Sequence, residues 1–410
     1  MYSVDGVKVK MQRLGRGVGA IALCSVFALS NAVADECVPT GQVLIPKDNS
    51  SIGHVSLIQK VKDRPVVLLG EHHDNLSHHR WQLQMITGLH THNPQLVLGF
   101  EMFPRRAQAV LDQWVNGELS EKEFLEKSGW SDYWRFDPEL YLPILHYARM
   151  NKIPMKALNV DRSLIREVGQ KGWKGVEESA REGVGQPAAP SEGYQQMLAG
   201  VFKQHDSHRG NNNKESKQVI AEIMKRPSFG KFVESQQVWD RAMAEAIAAA
   251  RQTVKDVQVV AILGSGHMMY GFGVPEQLAD LKQPKPAILV PWDPEFECEY
   301  IQPGFADAVI GLRPIRYSDR DADKKYPKIG IYLEKHNDGV LIGEVLEGSV
   351  GDQLKLQKGD VIVEMAGEPV AKVEEVISRV KGTRFGTWLP FTVKREGERM
   401  EFVAKFPPNK

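Results

Sequence analysis

The chain has 410 residues, 42% of them hydrophobic and 25% charged, with Lys+Arg and Asp+Glu balanced at 52 each. That length exceeds one ordinary domain, and the apolar share suffices for a large buried core. A formal charge of zero gives no global attraction to nucleic acid or to an anionic membrane surface.

The N-terminus has the three parts of an export signal: basic "VKVKMQRLGRG", the short apolar run "VGAIALCSVFALS", and small residues at Ala32 and Ala34. A signal peptide is therefore expected over residues 1–34, with an uncleaved anchor as the alternative. Its removal leaves 48 cations against 51 acids, a balance of −3. Two cysteines then remain, Cys37 and Cys298, and an oxidising compartment would permit one disulfide between them; two unpaired thiols are the other reading. The expected location is the periplasm or cell envelope, with outer-membrane association left open.

From Ser56 to Pro291, β-branched apolar runs alternate with helical patterns. "RPVVLLG", "PQLVLGFE", "IPMKALNV", "VQVVAILGSG" and "KPAILVPW" are read as strands. "HHRWQLQMITGLHTH", "PELYLPILHYARMN" and "FVESQQVWDRAMAEAIAAARQ" are read as helices between them. The alternation predicts an α/β domain, a mostly parallel sheet flanked by helices, over residues 35–305. "GVGQPAAPSEG" and "DSHRGNNNKESKQ" look like polar loops or an inserted flap. A charged stretch, "RPIRYSDRDADKKYPK", marks a linker placed at 306–326. Residues 327–410 then show short strands and one helix, "KVEEVISRVKG", a small β-rich domain.

Open α/β sheets bind ligands beyond the carboxyl ends of their strands. Four predicted strand ends deliver polar groups there, each end with at least one that is ionisable: Glu71, His72, His73 and Asp74; Glu101; Asn159 and Asp161; and His267 with Tyr270. A single polar residue at a strand end is usually a cap or loop contact, but four ends together argue for a shared site. On the helix after the first strand, His78, His79 and Gln82 either support the strand-end carboxylates or cap the helix start. His90 and His92 suit its negative end. No HExxH pair, phosphate loop, dinucleotide fingerprint or nucleophile elbow is present, so spacing alone defines only a ligand or metal site rich in His and Glu.

The motifs "LLGEHHDNLSHHRWQLQ", "LGFEMFPRRAQ", "SGWSDYWRFDPELYLPILHYARMNKIPMKALNV", "FVESQQVWDRAMAEAI" and "LGSGHMMYGFGVPEQL" resemble, in order, the ChaN-like haem-binding domain of the Tiki/EreA superfamily. The resemblance implies an exported bacterial protein that binds haem and serves haem or iron uptake. Under it, the haem-binding candidates are Glu71, His72, His73, His79, Glu101, His267, Tyr270 and Tyr194. Tyr270, beside His267, is the leading candidate for the haem iron. Arg105, Arg106, Lys203 and His208 are candidate propionate partners. Trp130, Tyr133, Trp134 and Tyr141 are either core or walls for a flat macrocycle. Distant members of the superfamily resemble hydrolases, so Glu71, His72, Glu101 and His267 are alternatively catalytic, as ligands of a divalent metal or as acid and base. A homodimer sharing a ligand stays open.

The C-terminal module resembles a PDZ domain. "LQKGDVIVEMAGEPV" resembles that family's "GD-I-x-x-x-x-G" segment, and "KIGI", Lys328, Ile329, Gly330 and Ile331, stands at its carboxylate-binding loop. It departs there from the usual Gly-Leu-Gly-Phe at three positions. The resemblance implies that a protein C-terminus or extended peptide adds as a strand; packing against a neighbour with an empty groove is the alternative.

Overall fold

The computed structural model describes residues 37–207, 217–253, 256–292, 298–313, 315 and 326–407. The expected signal peptide and His208 lie outside the described residues.

The five runs read as strands form β3 (Val66–Glu71), β4 (Leu96–Pro104), β5 (Met155–Asn159), β6 (Gln258–Gly264) and β7 (Ala287–Trp292). Three short strands accompany them: β1 (Val43–Ile45), β2 (Ser50–Ile52) and β8 (Ala308–Gly311). One eight-stranded sheet results, ordered β2-β1-β8-β7-β3-β6-β4-β5. Strands β3 to β8 run parallel, and β1 is antiparallel to both β2 and β8. The sheet therefore reaches into the segment expected as linker: β8 pairs Ala308 to Gly311 with Leu289 to Trp292, so the first domain extends to at least Gly311. Four residues sufficed for pairing because both edges of β8 are occupied.

Each strand feeds two cores because successive side chains alternate between sheet faces. Val67, Leu69, Leu98, Phe100, Val260 and Ile262 join one core with helices Leu76–His92, Gln108–Asn116 and Leu142–Met150. Val66, Leu68, Val259, Ala261 and Leu263 join the other with helices Pro227–Ala250 and Val274–Asp280. Burial on both faces is what makes these runs continuously apolar.

Cys37 and Cys298 are joined in a disulfide, with Cα atoms 5.3 Å apart and 261 residues apart in sequence. Among the described residues, no helix is long and apolar enough to cross a membrane.

The second unit is a sheet of six antiparallel strands, β14-β13-β11-β10-β9 with β12 on β11. These are β9 (Ile331–His336), β10 (Gly339–Val345), β11 (Val361–Met365), β12 (Glu368–Pro369), β13 (Trp388–Arg395) and β14 (Glu398–Lys405). Helix Val373–Gly382 packs beside β9, and Ile329, Val340, Ile342, Ile362, Val376 and Phe391 are among its core residues.

Candidate functional site

The carboxyl ends of the central neighbours β3, β6 and β4 carry Glu71, Gly264 and Glu101 to one rim of the sheet. Strand β3 ends at Glu71, and Asn75 then opens the next helix by accepting from the Ser77 N–H. That helix presents His78, His79 and Gln82 on its buried side, spaced to reach back to the strand end.

Glu71 is 1% exposed. A lone carboxylate at such depth would cost several kcal/mol, but this one is surrounded by partners. The Tyr141 hydroxyl donates to Oε1 at 2.7 Å, and His73 Nδ1 lies 2.7 Å from the same oxygen. Gln82 Nε2 donates to Oε2 at 3.2 Å, with His79 Nδ1 at 3.3 Å. Burial pushes the Glu71 carboxyl up, but the charge of His79 and the bonds to His73 and His79 outweigh it and hold the group well below the usual carboxylate range.

Glu101 enters from β4. Its Oε2 accepts from the Gly264 N–H at 2.6 Å, and Asn159 at the end of β5 donates to its main-chain carbonyl at 3.1 Å. Between the acids stands His73. A Cβ on Gly264 would lie 3.1 Å from His73 Cε1 and 3.5 Å from Glu101 Oε2, so glycine there leaves the room in which they meet. Burial lowers the His73 imidazole, yet the bond to Glu71 and the charges of Glu71 and Glu101 raise it overall.

On the far side of Glu101, His267 Nε2 lies 3.7 Å from Oε1. Its Nδ1 lies 2.6 Å from Oδ1 of Asp240, a fully buried acid of helix Pro227–Ala250, whose Oδ2 accepts from the Tyr194 hydroxyl at 2.6 Å. Burial opposes charging of His267, but Asp240 and Glu101 prevail and its pKa is raised to about 9. Acids and imidazoles therefore alternate across the rim: Tyr141, Glu71, His73, Glu101, His267, Asp240, Tyr194.

Several expected residues take other places. Tyr194 is 1% exposed and committed to Asp240, so it supports His267 from the core and is no exposed ligand. His79 supports Glu71, whereas His78 Nδ1 accepts from the His72 N–H at 2.9 Å; the His72 ring packs edge-on to His78. Asp161 caps helix Arg162–Lys171 and pairs with Arg106 at 2.9 Å. Arg105 is held by Glu245 and by the carbonyls of Glu182 and Ala242. Both arginines are thus engaged by other groups of this chain, Arg105 half-buried and Arg106 exposed. Lys203 lies on helix Glu192–Ser207. Trp130, Tyr133, Trp134 and Tyr141 are all buried, the Trp134 ring 4.6 Å from that of His73. Asp240 was missed by sequence reading; its signal was an acid among the inward positions of an Ala-rich helix.

Tyr270 and His267 turn apart. His267 points inward to Asp240 and Glu101. Tyr270 is only partly buried, and its hydroxyl donates to the Tyr300 carbonyl at 2.8 Å, while Phe272 and Phe305 flank the ring at 5.7 and 5.1 Å. Its backbone takes the left-handed conformation, φ 59° and ψ 11°, which is strained for a non-glycine residue. Among the described residues, no group of three or more His, Cys, Asp or Glu is arranged to hold a metal ion.

A mostly parallel sheet with a rim of paired carboxylates and imidazoles, followed by an antiparallel module, defines a chain of two parts, an α/β domain and a small β-rich domain. The chain belongs to the family described as haem-binding uptake, Tiki superfamily, ChaN, whose model matches residues 57–278. A PDZ domain model matches residues 327–405. Among solved structures, ChaN of Campylobacter jejuni, in a structure of cofacial haem binding, is 20% identical over 65% of this chain and 95% of that one, with a TM-score of 0.50. At that identity the likeness speaks for the fold. The serine endoprotease of Yersinia pestis is 23% identical over 22% of this chain and 32% of its own, TM-score 0.20. The HtrA3 PDZ domain bound to a phage-derived ligand (FGRWV) is 21% identical over 19% of this chain and 83% of that one, TM-score 0.18. No curated protein matches the chain.

Proposed function

We propose that this protein is exported, that it carries haem at the rim of its α/β domain with Tyr270 as iron ligand, and that it serves haem or iron handling at the cell envelope. The observation that carries the assignment is Tyr270 itself: a partly exposed phenol, walled by aromatic rings, on a strained backbone beside the acid–imidazole rim. Strain of this kind persists where surrounding structure enforces it, commonly at binding sites. Tyrosine is an established haem ligand type. His267 suits the role less well, since a protonated imidazole has no lone pair for iron and its Nδ1 is taken by Asp240. Release of the Tyr300 carbonyl by the Tyr270 hydroxyl would accompany ligation. The Cys37–Cys298 disulfide supports an oxidising compartment. The PDZ module would recruit a protein C-terminus along the open edge of β9, bringing the haem domain to a partner.

Titration of the purified protein with haemin, followed by absorbance, tests the reading. A saturable Soret shift is expected in the wild type and in Tyr194→Phe, and its loss in Tyr270→Phe. An unchanged shift in Tyr270→Phe refutes the ligand assignment, and no shift in the wild type refutes haem carriage. Sedimentation of the loaded protein decides whether two copies share the ligand, and cell fractionation tests export.

A hydrolytic reading draws on one specific observation, the Asp240–His267–Glu101 alignment, in which a buried acid orients an imidazole toward a carboxylate. Ester hydrolysis by haem-free protein, abolished in His267→Ala, would support it over carriage.

A further inference from the structure

Strand β9 is the open edge of the C-terminal sheet, bonded on one side to β10 and flanked on the other by helix Val373–Gly382. Ile331 and Leu333 of the strand, with Val373 and Val380 of the helix, are partly buried against the core and make an apolar lane between them. Further along the same strand face the lane changes character. It opens into a cavity of about 390 Å³ lined by Lys335, His336, Asn337, Lys372, Val373 and Glu374. There two ammonium groups, Lys335 and Lys372, join the apolar Ala371 and Val373.

Among the described residues, no nearby acid forms a salt bridge with either cation. Glu375 is spent on the backbone N–H groups of Ala371 and Lys372. Asp338 faces Lys394 at 3.8 Å. Glu334 alternates to the other strand face, where its carboxylate lies against Gly343. Glu374 alone lines the cavity as an acid. Lys335 and Lys372 are exposed, and among the described residues neither has a salt-bridge partner.

Strand pairing fixes the register. A peptide laid antiparallel on β9, with its terminal residue abreast of Ile331, advances about 3.4 Å per residue. Four residues upstream it stands abreast of Lys335, roughly 14 Å away, with that residue's side chain on the face of the cavity. We propose that the module selects C-termini carrying an acidic side chain at the fourth position before the terminal residue, read by Lys335 and Lys372. This rests on the peptide-binding reading of the PDZ module given above. The apolar lane fixes the end of the peptide, and the cationic cavity discriminates among peptides whose ends are alike.

Fluorescence polarisation on the full-length protein tests it. Three labelled peptides share the ending Ala-Val-Ser-Val and carry Glu-Glu, Gln-Gln or Lys-Lys immediately before it, and a fourth repeats the Glu-Glu peptide with an amidated end. The Glu-Glu peptide is expected to bind roughly three- to tenfold more tightly than Gln-Gln at low salt, with the margin shrinking at 0.5 M salt as charges are screened. The double variant Lys335→Glu, Lys372→Glu should reverse the order in favour of Lys-Lys. Lys335→Gln should give an intermediate margin, and both side chains are exposed, so circular dichroism should be unchanged. Equal affinity for the three free-ended peptides, with loss on amidation, overturns the acidic selection while the peptide-binding reading stands. Failure of every peptide to bind removes both.

Discussion

Replacing Asp240 by Asn probes the least expected part of the rim. In the wild type, Asp240 holds His267 Nδ1 through one oxygen and the Tyr194 hydroxyl through the other. Asn keeps the shape but has one acceptor and one amino group. Its oxygen still takes the Tyr194 proton, and its NH2 donates to Nδ1 of a neutral imidazole. The substitution therefore favours the uncharged ring, and the His267 pKa should fall from about 9 to below 6.5. At about 1.4 kcal/mol per tenfold change in proton affinity, the wild-type elevation corresponds to about 3 kcal/mol of stability. The sign follows from a raised pKa: this contribution is fully present below pH 6.5 and is lost as pH rises through about 9. Wild-type stability should decline between those limits, while the variant is less stable by up to about 3 kcal/mol at pH 6 and nearly flat across the window. Urea denaturation followed by tryptophan fluorescence reports the α/β domain, which holds seven of the eight tryptophans. A proton NMR titration of the imidazoles reads the pKa directly. A wild-type His267 titrating between pH 6 and 7, or parallel pH profiles for the two proteins, would refute the reasoning.

Glu71→Gln removes the charge on which Tyr141, His73, His79 and Gln82 converge, and should cost about 3 kcal/mol at pH 7 in urea denaturation, the scale of breaking a buried pair. Because the Glu71 carboxyl is held below its ordinary value, its contribution is present above pH 4.5 and lost as pH falls, so the variant should show a shallower acid limb than wild type. Cys298→Ser opens a covalent loop with a sequence separation of 261 residues and should lower stability by about 2–5 kcal/mol. A thermal melt should show that deficit, wild type under reductant should match it, and reductant should leave the variant's melt unchanged.

Sequence patterning located the rim because apolar runs such as "RPVVLLG" and "VQVVAILG" end in glycine next to ionisable groups, and burial on both faces leaves little else they can be. Glu71, Glu101 and His267 do meet there. The short strands β1, β2 and β8 were not legible: three or four residues carry no periodicity, and their pairing depends on neighbours distant in the chain. His78 and His79 were indistinguishable by spacing, because adjacent helical residues both lay near the start of one buried face; the tertiary position of Glu71 decided between them. Asp240 escaped for a related reason. An acid in a helix is ordinarily solvated, and only the approach of His267 and Tyr194 from other segments gives this one a reason to be buried. Sequence offered both Tyr270 and, behind it, Tyr194 for the haem site, yet Tyr194 is sealed in the core and Tyr270 is only partly buried.

Glu101 has a double allegiance. Backbone pairing between β4 and β6 is recorded up to Phe100 and Ile262, and beyond it the side-chain carboxylate takes the Gly264 N–H in place of a main-chain oxygen. The same carboxylate lies beside His73 and His267. A ligand that took Oε2 of Glu101 would compete with the Gly264 N–H, and so with a bond that ties the end of β4 to the end of β6.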